Sequence, residues 1–280
     1  MTSKLPKLAL GTWLMGGTKD PDPNNDDQGD IAVIKTAIDF GITLIDTAQN
    51  YADGKCEHLV GQAIAEYPRD QIQLLTKQKR LKLSYQEVID GCHESLECLD
   101  TQCLDYFVCH GPNQDVDMTE FFKASNELHK QGLIKNVGVS NFGVKNLEIA
   151  IKVSDVPIAL NQVSFSINDS DILTTGTYDF CLRNNIPIQA YRSLVDIKKE
   201  PDSYNALTKI AAETGFTTHQ VLIAYLNSYA GVNFTIRAST QEHWQQIKDA
   251  TSITLSPQHI EALKKIHLSK KGSFSHFLEM

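Results

Sequence analysis

The chain has 280 residues, 41% of them hydrophobic and 21% charged, with a formal net charge of -8. Those proportions exclude a disordered or fibrous chain and allow one or two globular domains. The acidic balance argues against a surface for nucleic acid or an anionic membrane, and no run of about 18 apolar residues is present to span a bilayer.

Short apolar runs alternate with amphipathic ones along the chain. KLALGTW, ITLIDTA, IQLLTK, LDYFVCH, IKNVGVS, IALNQVSFS, IPIQAY and VNFTIRA read as strands, several of them apolar on both faces. That pattern suits strands covered by helices on one side and by a packed interior on the other. Between them, Ile31, Ile34, Ala37 and Ile38 fall at helical spacing, with Asp30 as N-cap and Gly41 as stop. Ser84 and Glu87 form a capping-box pattern, further helices start near Glu57, Thr119, Gly143, Ile172, Ser203 and Gln241, and Ser256-Pro257 opens another.

Strand followed by helix, repeated over roughly 250 residues, predicts parallel pairing in a (β/α)8 TIM barrel. No linker or low-complexity tract cuts the chain, so residues 1–280 are expected to form a single barrel domain with a C-terminal helix and tail. An open doubly wound sheet would carry a glycine fingerprint after its first strand, and none is there.

Barrel active sites collect at the C-terminal ends of strands. Asp46 ends the second strand, Lys77 the third and His110 the fourth, while Tyr51 follows in the loop after the second. Singly, these are a helix cap, a surface lysine, a core-edge histidine and a loop tyrosine. Together, at successive strand ends, they predict one catalytic rim.

The stretches LALGTW, LIDTAQNY, LLTK, DYFVCHGP, GLIKNVGVSNF, NQVSFS and IQAY, in this order and joined by IRASTQEHW, resemble the aldo-keto reductase family. The resemblance implies reduction of aldehydes or ketones with NADPH on a barrel, and a tetrad of Asp46, Tyr51, Lys77 and His110. Tyr51 would protonate the carbonyl oxygen. Lys77 would lower a phenol pKa that is ordinarily about 10, Asp46 would orient the lysine, and His110 would steer the carbonyl. For the cofactor it implies Ser140, Asn141 and Gln162 on the nicotinamide carboxamide, Tyr191 stacked on the ring, and Gly11, Thr12 and Asp46 beside it. Arg192, Ser193 and Leu194 would form the pyrophosphate loop, and Arg237, Ser239 and His243 would meet the adenosine phosphate and adenine.

Three departures stand out. Arg192-Ser193-Leu194 replaces the usual Ser-Pro-Leu, and Ile247 replaces an asparagine at the adenine. Gly111 follows the catalytic histidine where many members have tryptophan. It is expected to widen the pocket beside the carbonyl, unless another side chain fills the gap.

Near-matches to other chemistry fail on spacing. GVSNFG has one residue too many for a nucleophile elbow. DPDPNNDDQGDI lacks the glycine and closing glutamate of a calcium loop. Cys109 is expected to face away from His110 by strand alternation. The six cysteines show no zinc spacing, and MTSKLPKLAL does not read as a signal peptide, so a cytoplasmic protein with reduced thiols and no metal is expected. The rival from another class is a cofactor-binding regulatory subunit, which could keep the same tetrad. The sequence sets neither the substrate nor the oligomeric state; the loops after Trp13, His110 and Tyr191 and the tail SKKGSFSHFLEM would shape the pocket.

Overall fold

The computed structural model describes residues 5–195, 197–272 and 278. Eight parallel strands close in sequence order into a barrel, with the last strand pairing the first. They are β1 (Leu8–Gly11), β2 (Leu44–Asp46), β3 (Gln73–Gln78), β4 (Leu104–Cys109), β5 (Ile134–Ser140), β6 (Ile158–Ser164), β7 (Ile188–Tyr191) and β8 (Val232–Ile236). The connecting helices are α1 (Asp27–Phe40), α2 (Lys55–Ile64), α3 (Tyr85–Cys98), α4 (Thr119–Lys130), α5 (Val144–Val153), the pair α6 (Asp171–Thr174) and α7 (Thr177–Arg183), and the pair α8 (Pro201–Thr214) and α9 (Thr218–Asn227). After β8 come α10 (Gln241–Ala250) and α11 (Pro257–His267).

Strand alternation sorts the apolar side chains into two cores. Ala9, Leu44, Leu75, Tyr106, Val108 and Leu160 point inward and pack with Leu5 inside the barrel. Leu10, Ile45, Leu74, Phe107, Cys109, Val137 and Ala190 point outward and join the helices in the larger core. Two residues beyond an inward apolar side chain the same face turns polar: Leu44 leads to Asp46, Leu75 to Lys77, Val108 to His110 and Leu160 to Gln162. The interior is therefore greasy below and ionic at the rim.

Local signals explain most boundaries. Gly41 stops α1 in the left-handed conformation, and Ser84 with Glu87 forms a capping box at α3. The N-cap of α1 is Asp26, whose carboxylate accepts from Gly29 N at 2.9 Å, and not Asp30. Asp30 lies inside the first turn and accepts from Gly16 N and Asn25 Nδ2 instead, which ties the acidic loop to the segment after β1. Helix α9 was not among the expected helices. Val221 to Leu226 are all buried, so the stretch is an apolar run without helical periodicity, although Thr217 and Gln220 form a capping box in front of it.

The C-terminal part returns to the barrel. Ser170 N and Oγ both donate to Lys270 O, Gly272 N donates to Asp171 Oδ1, and His267 bonds to Asp169 O. Leu278 is buried, and its backbone passes so close to Gly143 that a methyl group there would overlap its carbonyl oxygen. Gly143 has ordinary extended backbone, so the close approach is what requires glycine at this position. The residues of the expected tail at 273–277 and 279–280 lie outside the described residues. Among the described residues no helix is long and apolar enough to cross a membrane.

Candidate active site

Asp46, Lys77 and Tyr51 meet at the C-terminal rim. Lys77 is fully buried and ion-paired with Asp46 Oδ1, and its Nζ also donates to Thr47 O at 2.8 Å and Tyr51 Oη at 3.3 Å. Tyr51 opens a 3-10 turn whose next residues, Ala52 and Asp53, have positive φ, so the chain reverses sharply and returns the phenol over the barrel. Its ring lies edge-on to His110, with centroids 5.8 Å apart, and edge-on to Trp13, at 4.9 Å. The four residues singled out at the strand ends are thus one cluster.

Burial decides their charge. It lifts the Tyr51 phenol above its ordinary value near 10; Lys77 pulls the other way and Asp46 reinforces the rise. Lys77 thus pulls the phenol down as expected, but desolvation outweighs the lysine and the net shift is upward. For Lys77 itself, burial opposes the charge, but Asp46 and Tyr51 hold it above the ordinary lysine value. His110 is pushed well below 6.5 by burial and by the positive charges of Lys77 and Arg80, so its ring is neutral. Its Nδ1 is buried and has no hydrogen-bond partner among the described residues.

A second polar layer supports Asp46. Its Oδ2 accepts from Gln162 Nε2 at 2.8 Å and from Thr235 Oγ1 at 2.7 Å, and Gln162 Nε2 also reaches Gln189 Oε1 at 2.9 Å. Thr12 is pinned to the same strand end, its Oγ1 donating to Asp46 O at 3.0 Å, while Gly11 pairs with Asp46 in the sheet. Gln189 and Thr235 were not singled out from sequence. They sit two residues before Tyr191 and Arg237 on inward strand positions, and the same alternation that locates Lys77 would have found them.

Across the rim, Tyr191 Oη donates to Asn141 Oδ1 at 2.9 Å, and Asn141 Nδ2 donates to Ser140 Oγ at 3.1 Å. Asn141 holds a positive φ of 59, a conformation asparagine tolerates. Ser140 Oγ donates onward to Gln162 O. After β7, Arg192 is exposed with positive φ, whereas the Ser193 hydroxyl is buried and donates to Phe165 O at 3.0 Å. That hydroxyl ties the loop after β7 to the end of β6.

Beyond β8 a cavity of about 560 Å³ opens, lined among others by Leu194, Arg237, Ser239, His243, Gln246 and Ile247. The N-terminus of α10 faces this region, with Thr240 capping His243 N. A helix N-terminus beside a guanidinium favours an anion. Arg237 is also tied to the first loop, donating to Trp13 O at 3.2 Å. Ile247 is buried and gives the cavity an apolar wall where an asparagine was the usual residue.

Two expectations near His110 have opposite outcomes. Cys109 faces the outer core, its thiol donating to Gly111 O, as alternation required. The space beside Gly111 is not open, however. A methyl group on Gly111 would lie 3.0 Å from Arg80 Cδ, so the arginine stem occupies the gap that the missing tryptophan leaves.

The sequence pattern of the Aldo/keto reductase family matches residues 7–268. The methylglyoxal reductase YeaE of Escherichia coli (strain K12) is 30% identical over 278 residues, covering 96% of this chain and 93% of that protein. The crystal structure of a thermostable aldo-keto reductase, Tm1743, in complex with the inhibitor epalrestat superposes with a TM-score of 0.87 at 33% identity, covering 94% of this chain and 95% of that one. An aldo-keto reductase from Klebsiella pneumoniae in complex with NADPH gives 0.82 at 28% identity, covering 99% and 95%. A closed eight-stranded barrel, a lysine bonded to both Asp46 and Tyr51 beside His110, and a family match that spans all eight strands lead to one assignment: the chain belongs to the aldo/keto reductase family.

Proposed function

We propose that the protein is an NADPH-dependent oxidoreductase that reduces aldehyde or ketone carbonyls of small molecules to alcohols, with Tyr51 as general acid. The observation that carries this reading is Lys77 Nζ, bonded at once to Asp46 and Tyr51 in a buried site edged by His110. A phenol whose pKa is raised keeps its proton at neutral pH and can deliver it to a carbonyl oxygen as that oxygen gains charge. Lys77, held charged by Asp46, stabilises the phenolate left behind. The neutral His110 ring can donate an N–H to the same oxygen without competing as an acid.

The residues at the rim fit NADPH. Ser140, Asn141 and Gln162 present amide and hydroxyl groups where a carboxamide would be read, and the half-buried Tyr191 ring offers a flat surface. Gly11 and Thr12 close the side next to Asp46. Leu194 lines the cavity and Arg192 precedes it on the loop after β7, and Arg237, Ser239 and His243 with the α10 N-terminus suit a phosphate there. NADPH, when bound, supplies the hydride to the carbonyl carbon. Ser193 takes part through the loop backbone it secures. The six free cysteines, all with pKa raised by burial, are in keeping with a reducing, cytoplasmic location.

The experiment is a fluorescence titration with NADPH followed by a panel of aldehydes and ketones, methylglyoxal included because a relative is named for it. Saturable binding with turnover is expected. Binding without turnover on any carbonyl would favour a regulatory subunit, and absence of binding would overturn the reading.

A further inference from the structure

We infer that Arg80 anchors substrate, and that the carbonyl compounds favoured by this enzyme carry a carboxylate close to the reacting group. The inference rests on the reductase reading above and names its substrate class.

The loop between β3 and α3 begins where Lys77 ends its inward course. It carries Lys79, Arg80 and Lys82 within four residues, in a chain whose net charge is -8. Such a concentration of positive charge at the mouth of a reaction site raises the local concentration of anions. Lys79 is engaged with Asp53 at 2.7 Å, on the turn that follows Tyr51. Arg80 points elsewhere. Its Cδ lies against Gly111, the residue directly after His110, and the side chain is half-buried.

That position is built, not incidental. Gln78 Nε2 donates to Lys82 O at 2.6 Å and to Glu87 O at 3.2 Å, closing the loop onto the start of α3. Gln49 Oε1 accepts from Lys79 N at 3.0 Å, and Asn113 Nδ2 donates to Arg80 O at 3.3 Å from the loop after β4. The loop is thus held on both sides of Arg80 and at its carbonyl, and the absence of a side chain at Gly111 admits its stem. Tryptophan at 111 would have made an apolar wall; glycine there puts a cation beside the histidine. The charge of Arg80 is also felt at His110, where it adds to burial and Lys77 in keeping the ring neutral.

A guanidinium pairs with a carboxylate through two parallel, charge-assisted hydrogen bonds. Because the Arg80 stem lies against the residue that follows His110, a carboxylate held by Arg80 would bring a carbonyl a few bonds away toward His110 and Tyr51. Trp13, packed edge-on against Tyr51 and half-exposed, supplies an apolar wall beside the phenol.

The test compares kcat/KM for matched pairs that differ only in charge: succinic semialdehyde with butanal, and 4-carboxybenzaldehyde with benzaldehyde. For the wild-type enzyme the ratio of carboxylated to neutral partner should exceed one and should fall as salt is raised. In Arg80→Met the ratio should drop at least tenfold, mainly through KM, and Arg80→Lys should fall between. Thermal melting and NADPH titration check that each variant is folded; Arg80→Gln replaces Arg80→Met if that variant is not. A wild-type preference for the neutral partner, or a ratio unchanged without the guanidinium, overturns the inference and leaves the reductase intact. If the wild type reduces no carbonyl at all, the reductase reading falls and the inference with it.

Discussion

Gln162 Nε2 donates to Asp46 Oδ2 at 2.8 Å, joining β6 to β2 across the barrel between residues 116 positions apart. The same carboxylate takes Thr235 Oγ1 on its Oδ2 and Lys77 on its Oδ1, so four strands meet at one acid. Family resemblance assigns Gln162 to the nicotinamide carboxamide. The structure gives its amide nitrogen a prior engagement, with Asp46 and with Gln189.

A substitution at Gln162 should therefore act through Asp46 as well as through the cofactor. Gln162→Met leaves a buried carboxylate short of one donor, which costs on the order of 1–3 kcal/mol. We expect a lower melting temperature together with a reduced kcat, and only a modest change in NADPH affinity. A large loss of NADPH affinity at unchanged melting temperature would show that the residue serves the carboxamide alone.

Tyr51→Phe should bind NADPH much as the wild type does and lose most turnover, a positioned acid being worth about 10²–10⁴-fold. The raised phenol pKa adds a pH signature. The proton-donating form persists through neutrality and beyond the ordinary phenol value near 10, so reduction should not decline between pH 7 and pH 9 for want of this proton. Wild-type activity in Tyr51→Phe would remove the residue from its role.

Arg237→Ala should weaken NADPH by about tenfold or more and NADH much less, because charge-assisted bonds to a terminal phosphate are lost. The guanidinium also donates to Trp13 O, so some loss common to both cofactors is expected. Equal loss for NADPH and NADH would leave only that structural tie.

How much of this was legible in the sequence depended on period and chain distance. The strands and the tetrad were, because an inward face that turns from Leu44 to Asp46 or from Leu75 to Lys77 announces itself within three residues. Helix α9 was not, since burial on every side erases the helical period, and only the Thr217–Gln220 box marked it. Arg80 was not either. Nothing local says that its stem lies against Gly111, because that contact depends on how two loops on adjacent strands are braced by Gln78, Gln49 and Asn113. The net sign of the Tyr51 shift was not legible for a similar reason: the lysine that lowers it can be read from a motif, whereas the depth of burial that outweighs it cannot.

His267 gives a prediction about stability. The side chain is buried at the end of α11, where Nε2 donates to Asp169 O at 2.9 Å and Nδ1 accepts from Tyr225 Oη at 3.0 Å. A carbonyl can only accept, so this tautomer is fully paired while neutral, and a second proton would break the bond from Tyr225. Burial lowers its pKa from 6.5 to about 4. The unfolded chain takes up a proton near pH 6.5 that the folded chain refuses until near pH 4. Stability is thus fully present above pH 6.5, falls as pH drops toward 4, and is independent of this group below that. The shift corresponds to on the order of 3 kcal/mol, and His110 acts in the same direction. His267→Gln should be less stable than wild type at pH 7.5, by about 1–3 kcal/mol for the disturbed bonds. It should also lose less stability on acidification to pH 4.5 in urea denaturation measured across the series. Parallel wild-type and variant curves would mean that the acid sensitivity of the fold lies elsewhere.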